Sequence, residues 1–571
     1  MSDMEHEVAA LTGVNADYSE DWNQHIKRAV SEFLKTAVIM DNQPWVREQN
    51  IDRSGQVASN EDTGFDEALP ELVVPDSSAE GPTHDLDIRA VSDVFALNGI
   101  ACAFVLPDDN VAEDQRKIER AVAAAKVSDL VVIDWYLKQQ DESLTLNILQ
   151  EIAKSDTREN GRLRLICVYT GEPLKDSILS DVSCFLKKGG VVTENVDKEE
   201  YCAVGEHTLV VIKNKTITPA DQLPSDLISL FSHFAEGLIP AFSLAAVGAI
   251  RKNAHHMLTR FGKWLDSAYI ANRLITDPPG DVSEMLRDLF ISECDAALGL
   301  EAVADRYLET IPISFWLSNN KNSIGGQTHK KLDINGDLLL EILRNGVKDQ
   351  KSFNGDTDDI NIPQNSRNLI SAALAGSLEA SKKSEHEFAR LVALKREAFG
   401  RSKLIGDENW KPTLTTGTLI KVKLKDAVVD EHDETIPEIF EYLICLTPAC
   451  DTLRLNEITP FVFLRAKIED RRYGIVLREK NGEEVCLRID AKNPVLKTFF
   501  FAPDEEFQRV FAIKDEDSDF KFLDSDDQDF LWLGEVRYTR AASEMAGLVR
   551  NWMRIGISDS EYLRLTSEGK F

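Results

Sequence analysis

The chain changes its hydrophobic rhythm three times. Residues 17 to 35, "DYSEDWNQHIKRAVSEFLK", repeat apolar side chains at Trp22, Ile26, Val30, Phe33 and Leu34, a spacing that predicts an amphipathic helix within residues 1–35. An apolar run, "TAVIM", follows and stops at Asp41. Residues 47–85, rich in Gly, Ser, Pro, Asp and Glu, show no sustained period and predict a flexible insertion. From residue 86 helical and strand patterns alternate: "DIRAVSDVFALNG", "IACAFVLP", "EDQRKIERAVAAAKVSD", "LVVID", "SLTLNILQEIAKSDT", "LRLICVYTG" and "HTLVVIKNK", with a further helix from about Ser225. Short, wholly apolar strands between amphipathic helices predict a parallel sheet covered on both faces. The expected first domain is therefore α/β and doubly wound, over residues 36–235.

Helical patterning continues through "AAVGAIRKNAHHMLTRFGKWLDSAYIANRLI" to about residue 300, and polar, Asn- and Gly-rich runs between 319 and 364 read as a loose connector. Residues 236–400 are expected to form a helical middle region ending in a helix at about 380–399. Beyond 401 the pattern turns to strands, "TGTLIKVKL", "EYLICLTP", "FVFLRAKI", "RYGIVLRE", "EEVCLRID", "FQRVFAI" and "FLWLGEVRY", and predicts a β-rich, barrel-like domain over 401–571 closed by the helix "AASEMAGLVRNWMRIG".

With 571 residues the chain exceeds one hydrophobic core, and its formal net charge of −32 disfavours nucleic-acid binding. No apolar run is long enough to span a membrane, and the polar start lacks a secretory pattern, so a cytoplasmic protein without nucleic-acid or membrane partners is expected. Eight scattered cysteines with no Cys-x-x-Cys pair predict buried thiols rather than disulfides or zinc.

The candidate chemistry lies where apolar runs end. In an open α/β sheet the ligand crevice opens beyond the carboxyl ends of the strands, where strand order reverses. The first strand of the domain ends at Asp41, the third at Asp134, the fourth at Thr170 and the fifth at Lys213 or Lys215. A flavodoxin-like order would bring the two carboxylates together. Asp41, Asp134 and one backbone carbonyl, that of Tyr136, would serve Mg2+, an ion that takes hard oxygens and keeps several waters. Asp134 could then attack a phosphoryl group in line, with Thr170 and the lysine binding its oxygens.

These residues resemble the receiver domain of two-component response regulators, carried here by "VIMDNQPW", "DLVVIDWYL", "CVYTG" and "LVVIKNK". The resemblance implies that Asp134 is the phosphoacceptor, Asp41 a metal-binding acid, Thr170 the switch hydroxyl and Lys213 or Lys215 the paired lysine. It also implies a sensor histidine kinase as partner. Receivers carry two adjacent acids after the first strand, whereas Asn42 follows Asp41 here. Val210 and Ile212 stand where an aromatic switch residue is usual, and no proline follows the lysine. The whole chain is similar to the large receiver proteins of bacterial phage-defence operons of the Detocs type, through the helical run after "QLPSDLISLFSHFAEGLIP" and through "LTPACDTLRL". That similarity implies an antiviral phosphorelay in which the protein is a phosphate sink, with a receiver-linked effector of the same operon as a further partner. No separate catalytic activity is expected.

Three alternatives compete: an effector enzyme in the β-rich domain built on Cys450 and Asp451, a degenerate receiver serving as a scaffold, and a transcription regulator, for which no basic recognition helix is evident. His255 and His256 lack an accompanying phosphate-binding loop and read as surface or packed histidines. Asp524, Asp526, Gln528 and Glu535 have calcium-loop spacing, but Asp529 stands where such a loop needs glycine.

Overall fold

The computed structural model describes residues 19–42, 44–45, 86–106, 114–138, 140–159, 161–196, 199–275, 281–329, 332–346, 368–400, 410–425, 428–429, 435–436, 438–471, 473–490 and 493–552. The insertion expected at 47–85 and the connector residues 351–366 lie outside the described residues. The chain divides into two compact units, residues 1–255 with 294–319, and residues 256–293 with 320–571.

The first unit is built from α1 (Ser19–Phe33), β1 (Thr36–Met40), α2 (Ile88–Leu97), β2 (Ala101–Phe104), α3 (Asp114–Ala125), β3 (Leu130–Ile133) and α4 (Ser143–Arg158). It continues with β4 (Arg164–Thr170), α5 (Asp176–Lys188), β5 (Thr193–Asn195), β6 (Cys202–Gly205), β7 (Thr208–Asn214), α6 (Leu223–Phe234) and, as far as residue 255, α7 (Leu238–Arg260). The sheet order is β2-β1-β3-β4-β7-β6-β5. Its first five strands are parallel, and β6 and β5 extend it antiparallel beyond β7. This is the doubly wound, flavodoxin-like order, with the reversal between β1 and β3.

Strand period two sorts the apolar side chains onto two faces. Ala37, Ile39, Leu130, Val132, Leu165, Cys167, Leu209 and Val211 pack with α1, α2, α6 and α7. Val38, Met40, Val131, Ile133, Ile166, Val168, Val210 and Ile212 pack with α3, α4 and α5. Burial on both faces is why the central positions of these strands are apolar and polar residues stand at their ends. The N-terminal helix is part of this core: Trp22, Ile26, Val30 and Leu34 are buried in it, and so are Val303 and Tyr307. The sequence pattern placed those last two in a middle region, because a helical stripe shows that it is buried without showing against what. Arg251 of α7 also ties this helix to the sheet, donating to both carboxylate oxygens of Asp129 at 3.1 Å and to the Phe33 carbonyl at 2.8 Å.

The second unit carries a hairpin, Gln327–His329 with Leu332–Ile334, inside the run read as connector. Its main sheet has ten antiparallel strands: β8 (Leu394–Glu397), β9 (Thr418–Lys425), β10 (Ile439–Cys445), β11 (Thr459–Ile468), β12 (Ile475–Arg478), β13 (Glu484–Ile489), β14 (Leu496–Phe501), β15 (Ile513–Lys514), β16 (Phe520–Leu523) and β17 (Asp529–Val536). The order is β12-β13-β11-β10-β9-β17-β16-β15, with β8 on β17 and β14 on β11. Both faces are covered. Leu419, Tyr442, Ile444 and Leu464 pack with α8 (Tyr538–Trp552) through Ala541 and Leu548. Ile420, Val422, Phe461, Phe463, Phe501 and Phe530 form an aromatic-rich cluster on the other face. The helix expected at 380–399 ends at Ala393, because from Leu394 the backbone pairs with β17. No described helix is long and apolar enough to cross a membrane.

Candidate functional site

Each strand-end side chain is placed by the residues before it. Apolar runs hold β1, β3, β4 and β7 in the sheet interior, and the first polar residues emerge at their carboxyl ends. Backbone pairing continues one residue beyond the ladders: the Asp134 amide donates to the Met40 carbonyl at 2.8 Å, and the Lys215 amide to the Thr170 carbonyl at 2.8 Å. Asp41, Asp134, Thr170 and Lys215 therefore share one edge of the sheet.

Lys215 Nζ lies 2.7 Å from Asp41 Oδ2 and 2.9 Å from Asp134 Oδ2, and the three side chains are 5%, 3% and 10% exposed in the order Lys215, Asp41, Asp134. Burial pushes the Asp134 carboxyl above its ordinary range, and the nearby Asp41 adds to this; the Lys215 charge opposes both without cancelling them. For Lys215, burial alone would lower the pKa, but the two carboxylates outweigh it and hold the ammonium above its usual value. Two carboxylates and one ammonium leave the cluster with a net charge of minus one, an electrostatic deficit that favours a further cation.

The surrounding loops are tied down by side chains. Thr145 Oγ1 donates to the Asp134 carbonyl at 2.9 Å, and the Tyr136 amide donates to Asp134 Oδ1 at 3.3 Å. Asn42 Nδ2 donates to the Tyr136 carbonyl at 2.8 Å, which leaves that oxygen a second lone pair. Asn214 closes the turn after β7: its Oδ1 accepts from the Thr216 and Ile217 amides, and its Nδ2 donates to the Glu172 carbonyl at 2.7 Å. The buried Thr170 hydroxyl accepts from the Glu172 amide at 3.0 Å.

Of the two candidate lysines, only Lys215 reaches the carboxylates. Lys213 sits on the α6 side of the sheet, 3.9 Å from Asp226, because at a strand period of two it shares a face with Val211 and Leu209 along β7. Sequence reasoning missed the tethering roles of Asn42, Thr145 and Asn214. A polar residue at the end of an apolar strand was the available signal for Asn214, whereas Thr145 lies in a helix with nothing to distinguish it.

The two carboxylates are hard oxygen donors brought together around one cation, the Lys215 ammonium, and hard oxygens of this kind suit a small divalent ion that keeps several waters. Among the described residues no group of three or more His, Cys, Asp or Glu could hold a metal by itself.

The other sequence candidates do not assemble. His255 and His256 are exposed on α7. Cys450 is exposed, and the Asp451 carboxylate 3.4 Å from its sulfur pushes the thiol pKa up, the reverse of nucleophile activation. The acidic run around 524 is a turn, in which Asp524 Oδ1 accepts from the Asp526 and Gln528 amides at 2.9 Å. The structure also aligns three residues that no sequence spacing suggested: His386 Nδ1 is 2.6 Å from Glu484 Oε2, and Cys486 Sγ is 3.9 Å from His386 Nε2. His386 and Cys486 are buried while Glu484 lies at the surface, and burial pushes the Cys486 thiol up, so the alignment reads as packing.

Comparison with known families agrees with the geometry over one part of the chain. Residues 33–220 match the family model of a response receiver domain. No curated protein matches the chain. The matched segment covers the five parallel strands and every member of the strand-end cluster.

Proposed function

We propose that this protein accepts a phosphoryl group on Asp134 from a sensor histidine kinase. The observation that carries the reading is the buried Asp41–Lys215–Asp134 cluster at the switch point of a receiver sheet. An Asp134 carboxylate oxygen attacks phosphorus, a P–O bond forms, the P–N bond to the donor imidazole breaks, and the imidazole leaves with the bond's electron pair and takes up a proton. Mg2+, held by Asp41, Asp134 and the Tyr136 carbonyl, would neutralise charge on the transferring group. In this reading Lys215 transfers its bridge from the carboxylates to a phosphoryl oxygen, and the Thr170 hydroxyl exchanges its turn contact for another.

The output reading is a phosphate sink in antiviral defence. Resemblance of the whole chain to receiver proteins of phage-defence operons supports it, and so do Val210 and Ile212. Both are packed inside the sheet core, so β7 offers no aromatic ring to swing toward Thr170. In this reading the protein needs no catalytic activity of its own, and its partners are the kinase and a receiver-linked effector.

Phosphoryl uptake is the test. Wild type and Asp134→Ala are incubated with acetyl phosphate and Mg2+, or with the kinase and ATP, and analysed by intact mass and phosphate-affinity gel. Modification of wild type alone is expected. A kinase active toward another acceptor but inert toward wild type would reject the assignment, and the lifetime of the phosphoryl group would separate a sink from a switch.

A further inference from the structure

We infer a second ligand site, for a nucleoside phosphate, in the cavity of about 760 Å³ beside β8 and β17 in the second unit. Its volume falls in the range of small-molecule sites, roughly 300–1,000 Å³. Its lining is unusual for this chain. Against a formal net charge of −32, the walls hold Arg287, Lys395, Arg396, Lys411 and Arg509 and only two carboxylates, Asp288 and Glu535.

Glu535 is already engaged, and Asp288 is largely exposed at the rim. Glu535 lies 3.8 Å from Lys395 and 3.6 Å from Arg396, and Asp288 lies 4.0 Å from Arg287. Lys411 and Arg509 face the cavity with no ion pair to any described residue. Uncompensated cations in a concave site favour an anion, and arginine forks suit phosphoryl oxygens in particular.

The remaining lining supplies flat surfaces and hydroxyls. Trp410, Phe511 and Tyr538 border the space, with Thr413, Thr415 and Thr416 between them. The Arg396 guanidinium stacks over the Trp410 ring at 4.8 Å, making a planar, cationic platform of the kind on which nucleobases stack. The frame is rigid. Thr413 bridges Phe511 antiparallel, the Leu414 amide donates to the Val510 carbonyl and the Ala512 amide to the Pro412 carbonyl, both at 2.9 Å. Lys411 and Arg509 therefore stand on two backbone segments zipped to each other. An isolated phosphate would use the cations and leave the rings idle, whereas a nucleoside phosphate uses both.

Calorimetric titration of the full chain with ATP, GTP, adenosine, inorganic pyrophosphate and a short single-stranded oligonucleotide tests this, with Arg509→Glu, Lys411→Glu and Asp134→Ala compared with wild type. Neither cation holds a described carboxylate, so the reversals break no ion pair there, and circular dichroism verifies folding. A nucleotide is expected to bind more tightly than pyrophosphate or adenosine. Each reversal should weaken it by about tenfold or more, and Asp134→Ala should leave it unchanged. Equal binding of pyrophosphate and nucleotide, preference for the oligonucleotide, no binding of any probe, or binding indifferent to both reversals would each overturn the inference. None of these outcomes bears on phosphoryl uptake at Asp134.

Discussion

Replacing Lys215 by methionine keeps the length of the side chain and removes the one cation between two buried carboxylates. Asp41 Oδ2 and Asp134 Oδ2 lie 2.7 and 2.9 Å from the same nitrogen, so they can be no farther from each other than the sum of those distances. At an effective dielectric constant of about 20, two like charges at that limit repel by about 3 kcal/mol. Removing one partner of a buried ion pair costs about 3–5 kcal/mol in general, and the two figures agree. Hydrogen exchange followed by mass spectrometry should show opening of β1 and β3 in Lys215→Met enhanced by roughly a hundredfold or more at neutral pH. Mg2+ should reverse much of the loss by supplying the missing charge. The pH dependence has a definite sign. The Asp134 carboxyl is raised by burial and by Asp41 even with the lysine present, so its favourable contribution is complete below 3.8 and is lost as pH rises through its folded value. Without Lys215 that loss should deepen, and the variant should regain protection on acidification. Protection within threefold of wild type at neutral pH, without metal, would refute the reasoning.

The same geometry sets further outcomes. Asp134→Asn keeps the shape and the Asp41–Lys215 pair while removing a carboxylate disfavoured by burial, so it should stabilise the receiver by about 1 kcal/mol near neutrality, read as a higher melting temperature. Asn42→Asp adds a carboxylate next to Asp41 and should tighten Mg2+ binding by about tenfold, seen as a left-shifted Mg2+ titration of tryptophan fluorescence. In wild type the Lys215 contribution is present below 10.5 and lost as pH rises through its raised folded value, so near-ultraviolet circular dichroism should hold to that point and then decline. Arg164, buried with Asp156 at 2.7 Å, should cost about 3–5 kcal/mol when changed alone to Met, and much less together with Asp156→Leu, in thermal melts.

The sequence by itself determined the parallel sheet and most of its site. Strands buried on both faces must be apolar throughout, and helices between them must carry one apolar stripe, so "TAVIM", "LVVI", "LICVYT" and "TLVVI" were legible as sheet interior, and Asp41, Asp134 and Thr170 as the polar residues that end it. A parallel βαβ order then leaves the strand ends one common edge. What a side chain meets across the fold is not written in local periodicity. The choice between Lys213 and Lys215 depended on where β7 ends and on which face α6 covers, and the tether from Asn42 to Tyr136 depended on the β1–β3 register. The same limit hid the docking of Trp22 and Tyr307 in the receiver core, since an amphipathic helix shows that it has a buried face and not which partner buries it. In the second unit, alternating strands were visible. The cavity between Lys411 and Arg509 was not, because those residues are brought together only by antiparallel pairing between segments about a hundred residues apart in a chain whose overall charge is strongly negative.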